Sequence, residues 1–206
     1  VWDDPAVALV CAYLRVNGYF TLTEFEVSVA TKHGFRALTD LDVIGVRLPS
    51  SRETKHHAHH RRVEGGIIAA IDPVLEVDES RVDIVFVEVK QGKTEFNPGL
   101  RNPTVLEAGL RRVGGHLDEP VEEAARILAE RGIYRDRHHR ARLLGIGSHG
   151  RVSRGTTLHH SHLLEFLERH VDRYSEALKA MEAGDPVVGF IELMHKAQGP
   201  TPGDPS

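Results

Sequence analysis

Three side chains in this sequence have the types and the spacing to bind a cation and act on a phosphate. Asp40 and Asp42 alternate in the segment T-D-L-D-V-I-G-V, and Glu88 and Lys90 alternate at the end of V-D-I-V-F-V-E-V-K. In an extended chain alternate residues share a face, so Glu88 and Lys90 project together, about 7 Å apart at roughly 3.3 Å of rise per residue. An acid and an ammonium at the end of an apolar run carry a desolvation cost unless each finds a partner. A divalent cation is such a partner. Mg²⁺ takes one or two carboxylates and fills the rest of its shell with water and substrate phosphate. If the two segments pair, Asp42 and Glu88 can share the ion and Lys90 can face the same phosphate. A metal that polarises a phosphoryl oxygen, with a fixed cation beside it, is what phosphodiester hydrolysis requires.

That pattern resembles the PD-(D/E)xK nuclease superfamily. The likeness rests on Asp42 and on Glu88-Val89-Lys90-Gln91-Gly92, and covers roughly residues 4 to 150. It implies a restriction-endonuclease-like α-β-β-β-α-β core. By this resemblance Asp42 and Glu88 ligate Mg²⁺ or Mn²⁺, Lys90 positions or activates the attacking water, and Gln91 supports the site. A further acid from the first helix or first strand is expected, with Glu24 favoured over Glu26. The superfamily's usual proline before the aspartate is Leu41 here.

The elements that must position these groups are legible from periodicity. Asp3-Asp4-Pro5 starts a helix with Val7, Val10, Cys11 and Leu14 on one stripe, and Asn17-Gly18 ends it. Residues 19 to 29 and 37 to 48 read as two strands joined by a turn at Lys32-His33-Gly34. Residues 82 to 90 form a third strand, apolar on both faces, as a central strand covered on both sides is. Pro103-Thr104 and Pro120 open two helices, the second ending at Gly132. Residues 140 to 147 read as a fourth strand. Thr156 and Thr157 are expected to cap a long helix striped by Leu164, Leu167, Val171, Tyr174 and Leu178, and a last helix runs from about Pro186 to Lys196. The fold class is therefore α/β, a mixed central sheet flanked by helices, ordered α-β-β-β-α-α-β-α-α. One nuclease-like domain is expected over residues 1–197, with its core at about 4–150, C-terminal helices at about 156–197 and a flexible tail at 198–206. Residues 50 to 66 are expected to be mobile.

Composition bounds the rest. With 206 residues, 40% hydrophobic and 27% charged, the chain can bury a core without disulfides, and its one cysteine, Cys11, falls on the apolar helix stripe. No apolar run reaches the roughly 18 residues that span a bilayer, and no basic-then-apolar leader is visible, so a cytoplasmic protein is expected. The net charge of −4 opposes nucleic-acid binding. The arginines of residues 131 to 154, and those near the histidine-rich stretch, read equally well as a basic cleft or as solvated loops. Arg61, Arg62 and Arg101 are the candidate nucleic-acid contacts, with Asn97 and Asn102 bordering the same cleft.

Two other signals are weaker. Gly145, Gly147 and Gly150 spell G-x-G-x-x-G, but no helix opens within the glycines, which favours a close backbone approach over a dinucleotide site. His56, His57, His59 and His60 sit in a polar loop without the fixed spacing of a zinc site, and His159, His160 and His162 read as surface or cap residues. The expected function is Mg²⁺- or Mn²⁺-dependent hydrolysis of nucleic acid, DNA in preference. The alternative is a non-catalytic module on the same fold that binds nucleic acid or protein. A homodimer is compatible with either.

Overall fold

The computed structural model describes residues 4–32, 34–49, 63–64, 67–68, 70–179 and 185–198. Helix α1 spans Pro5–Val16; Asp4 caps it by accepting the Ala6 amide at 2.7 Å, and Pro5 supplies a first helical residue that has no N–H to satisfy. Asn17 follows at its end. The expected single stripe is too narrow, because Ala8 to Leu14 and Val16 are all buried. The reason is placement: α1 lies against the sheet on one side and two later helices on the other.

Strands β1 (Phe20–Thr31) and β2 (Gly34–Arg47) form an antiparallel hairpin, and β2 pairs antiparallel with β5 (Val82–Val89). Between them lie a two-residue ladder, β3 (Val63–Glu64) with β4 (Ile67–Ile68), and a 3-10 turn at Pro73–Leu75. Helices α2 (Pro103–Val113) and α3 (Val121–Arg131) follow, then β6 (Ile133–Arg135), β7 (His139–Gly147) and β8 (Thr156–His159). The chain ends in α4 (His160–Lys179), kinked at Tyr174, and α5 (Pro186–Gln198).

The sheet is mixed and has six strands in the order β1-β2-β5-β7-β6, with β8 also on β7. β5 and β7 run parallel along their whole lengths. β7 therefore has one edge left, and β6 takes its first half while β8 takes its second. Side-chain alternation sorts the core into two clusters. Val43, Val85, Val87, Leu144 and Ile146 meet α1, α4 and α5, whereas Ile44, Ile84, Phe86 and Leu143 meet α2 and α3. β5 is buried from Asp83 to Val89, the pattern of a central strand covered on both faces.

Several sequence expectations need correction. Thr156 and Thr157 do not cap α4; they belong to β8, because the unfilled half of the β7 edge recruits them as a strand. β6, three residues long, carries too little periodicity to be seen. Leu164 is 42% exposed, and Leu163 takes its place beside Leu167 and Val171 in the core. Residues 50 to 62, and with them Arg61, Arg62 and the four loop histidines, lie outside the described residues, as does the tail beyond Gln198. No helix is long and apolar enough to cross a membrane among the described residues.

Candidate functional site

The register of the sheet brings the three predicted residues together. Val43 pairs with Val87, so one step on Asp42 lies across from Glu88 at the tip where β5 leaves the sheet. The Asp42 Oδ2 accepts the Val89 amide at 2.8 Å, which fixes its carboxylate against the strand end. Glu88 is 5% exposed, and its Oε1 lies 2.6 Å from the Lys90 Nζ. The backbone of Asn97 also favours the ionised Glu88 carboxyl. Lys90 itself is anchored by its backbone amide, which donates to the Ile146 carbonyl at 2.8 Å and continues the β5–β7 ladder past Val89.

The electrostatics are those of two acids held close in a poorly solvated place. Burial pushes the Asp42 carboxyl above its ordinary value; the Val89 amide and Lys90 pull the other way, and Asp4 and Asp40 add to the rise. Burial likewise raises Glu88, and Asp42 adds to the effect, only partly offset by the hydrogen bond from Lys90. The hydrogen bond and charge of Glu88, with Asp42 beside it, raise Lys90, so its ammonium stays charged at neutral pH. One ammonium faces two carboxylates, and the pair is left with surplus negative charge.

A small divalent cation matches that donor set. Asp42 keeps Oδ1 free of any hydrogen bond among the described residues, and Glu88 sits across from it. Two carboxylates, with water and phosphate completing the shell, are a donor set that Mg²⁺ or Mn²⁺ accepts. No group of three or more His, Cys, Asp or Glu side chains suited to a metal occurs among the described residues.

Gln91 and Glu24 are the supporting candidates. Gln91 is exposed, and its side chain forms no hydrogen bond among the described residues. Glu24 lies on β1 between Thr23 and Phe25, which pair with Val43 and Leu41, and so stands across from Asp42. It is exposed and has a left-handed φ of 52°, whereas the strongest like charges acting on Asp42 come from Asp4 and Asp40. Asp4 was legible as a helix cap; its approach to Asp42 depends on how α1 packs and leaves no local signal. Asp4 also acts on His160, whose buried Nε2 has no hydrogen-bond partner. His160 is thus no simple surface residue. His162 is not one either, since its Nε2 lies 2.6 Å from Oδ2 of the buried Asp72, which also accepts the Tyr13 hydroxyl at 2.8 Å.

The segment after β5 does border the site, through the Asn97 backbone. The Asn97 and Asn102 side chains, however, are engaged locally: Asn97 accepts the Gly99 amide at 3.0 Å, and Asn102 caps α2 by accepting the Thr104 amide at 3.0 Å. Arg101 is half-buried, with its guanidinium 5.9 Å from the centre of the Phe96 ring. The glycine triplet serves a close approach of backbones. A Cβ on Gly147 would stand 2.6 Å from Thr94 Oγ1 and 2.7 Å from the Gly92 carbonyl, and the Ser148 amide donates to that carbonyl at 2.8 Å. The loop that carries Lys90 is thereby pinned to the end of β7. β8, not a helix, follows the triplet, which removes the helix N-terminus a dinucleotide site needs.

The arginines of residues 131 to 154 do not form one cleft around this site. Arg140 and Arg142 are buried beside Asp83, at the start of β5 and therefore at the other end of the strand from Glu88. Neither models of known protein families, nor curated proteins, nor solved structures match this chain.

Proposed function

We propose that this chain is a divalent-metal-dependent phosphodiesterase that cuts nucleic acid, DNA in preference, on a restriction-endonuclease-like core. The observation that carries the reading is the convergence of Asp42 and Glu88 across two paired strands, with the Lys90 ammonium 2.6 Å from Glu88. The order α1, β1, β2, β5, helices, β7 supports it, with the β3–β4 ladder as an insertion before the third core strand.

Asp42 and Glu88 are the residues that would hold Mg²⁺ or Mn²⁺, which when bound supplies Lewis acidity at the phosphoryl oxygen and acidifies water. The chain's own groups do the rest. Lys90, whose charged form Glu88 and Asp42 favour, offsets the negative charge that grows on the phosphoryl oxygens and orients the attacking water. Water attacks phosphorus, one P–O ester bond breaks, and the water's proton ends on the departing oxygen or in solvent. Gly147 and the 90–97 loop hold Lys90 in place, so its ammonium is positioned before substrate arrives.

End-labelled DNA incubated with the protein in Mg²⁺ or Mn²⁺ tests this directly. Glu88→Ala and Lys90→Ala proteins that digest it as fast as the parent end the enzymatic reading. One observation favours a second reading, a non-catalytic module binding nucleic acid or protein: Glu88 and Lys90 already satisfy each other as an ion pair. In that case calorimetry detects no Mn²⁺ uptake that Asp42→Asn abolishes.

A further inference from the structure

The buried cluster at the start of β5 holds more positive charge than its own carboxylate balances. Asp83 is fully buried. Its Oδ2 accepts the Tyr19 hydroxyl at 2.6 Å, Arg140 Nη2 at 2.6 Å and Arg142 Nη2 at 3.1 Å, while Oδ1 accepts Arg140 Nε at 3.0 Å and Arg142 Nε at 3.4 Å. With five donors on two oxygens, this carboxylate is saturated. The other acceptors are neutral: the Tyr19 hydroxyl takes Arg142 Nη2 at 3.2 Å, the Leu75 carbonyl takes Arg142 Nη1 at 2.7 Å, and the Glu76 carbonyl takes Arg140 Nη2 at 2.6 Å. Two guanidiniums thus share one negative charge in a place where charge is costly to leave unbalanced.

Beside them opens a cavity of about 240 Å³ that Arg140 and Arg142 line together with Arg131 and Arg135. Arg140 Nη1 and the side chains of Arg131 and Arg135 form no hydrogen bond among the described residues. Among the described residues Glu76 is the one acid in the lining, yet the carboxylates that act most strongly on Arg140 are Asp83 and Asp78. Asp78 is itself held by Ser80 and by Arg81 at 2.7 Å. The volume lies below the roughly 300–1,000 Å³ of sites for drug-sized ligands, and suits a small ion.

We infer that this arginine-lined cavity is a binding site for a phosphoryl dianion, either inorganic phosphate or the phosphate of a mononucleotide. Guanidinium groups match phosphoryl oxygens in charge and geometry: Arg131 and Arg135 bring side chains without a hydrogen bond among the described residues, Arg140, immobilised by Asp83, offers Nη1, and Arg142, whose three nitrogens are all engaged, adds its charge. The site lies five residues up β5 from Glu88, roughly 17 Å at about 3.3 Å per residue, and is independent of the Asp42, Glu88 and Lys90 reading.

Calorimetric titration of the full chain with inorganic phosphate, and separately with adenosine monophosphate, in metal-free low-salt buffer tests the assignment. One equivalent is expected to bind. Affinity should fall at least tenfold in the exposed-rim variants Arg131→Gln and Arg135→Gln combined, rise severalfold in Glu76→Gln, and persist in Asp42→Asn. Equal affinity for the two ligands identifies free phosphate as sufficient, and tighter nucleotide binding shows that the base and sugar are also held; either supports the site. Circular dichroism confirms that the rim variants are folded. Absence of uptake, or uptake indifferent to Arg131, Arg135 and Glu76, overturns the inference.

Discussion

Replacing Asp83 by asparagine should cost this fold more than any other single isosteric change at a charged residue. The substitution leaves volume unchanged, so no cavity arises. It removes the one carboxylate between Arg140 and Arg142 and puts an amide NH₂ where an acceptor stood. Whichever way the amide turns, its NH₂ meets at least two donors, since Oδ1 serves both Nε groups and Oδ2 serves Tyr19 and both Nη2 groups. Breaking a buried pair from one side costs about 3–5 kcal/mol, against a total stability of about 5–15 kcal/mol for a protein of ordinary size. In a chain of this length each kcal/mol is worth about 2–4 °C, so Tm should fall by about 6–20 °C. Urea unfolding at an unchanged slope gives the free energy, and scanning calorimetry gives Tm. Glu107→Gln, which loosens an exposed i,i+4 pair with Arg111, is the control and should cost far less. A loss at Asp83 no larger than at Glu107 would refute the claim that the cluster is dry and that its charges are unbalanced without the carboxylate.

Three further outcomes are expected. Lys90→Ala should lower the rate of DNA cleavage by about 10²–10³ in a single-turnover gel assay, the usual loss when a preorganised charge is removed. Mn²⁺ at a hundredfold excess over its Kd should stabilise the parent by about 2.7 kcal/mol in thermal melts, and the double variant Asp42→Asn/Glu88→Gln should not respond. Without metal, the same comparison has a pH signature. Both carboxyls are raised above their ordinary values of 3.8 and 4.5, so their cost is present above the raised values and absent below the ordinary ones. Parent stability relative to the double variant should therefore rise as pH falls through that window, and urea titrations that show it falling contradict the raised carboxyls. Gly109→Ala places a Cβ 2.5 Å from Phe86 Cε1 between α2 and β5. Overpacking costs about 1–3 kcal/mol, which should outweigh the roughly 1 kcal/mol gained in helix propensity and appear as a lower urea midpoint.

What could be read beforehand follows from the range of the interactions involved. The caps and breakers at Asp4-Pro5, Asn102-Pro103 and Gly132 are local, and the helices they bound are where periodicity placed them. The apolar run of β5 announced a central strand, and two-residue alternation put Glu88 and Lys90 on one face. β8 was mistaken for a helix cap because Thr156 and Thr157 suit both roles, and only the unfilled edge of β7 decides between them. The charges of Arg140 and Arg142 looked like surface charge because burial of an arginine depends on a partner 57 or 59 residues away, Asp83, that no local pattern announces. Asp4 beside Asp42, and His162 on Asp72, are hidden for the same reason.

The two acids of β5 also constrain how the chain can assemble. Asp83 and Glu88 lie on opposite faces of one strand, Asp83 against arginines of the neighbouring β7 and Glu88 paired with Lys90 just past its own strand's end. A slip of β5 by a single residue would turn Asp83 away from Arg140 and Arg142 and swing Glu88, together with Lys90, onto the opposite aliphatic face, while Val85 and Val87 would lose their own cluster. Misaligned sheets are thus penalised at both extremities of the strand at once. During folding the two carboxylates act as a pair of alignment pins.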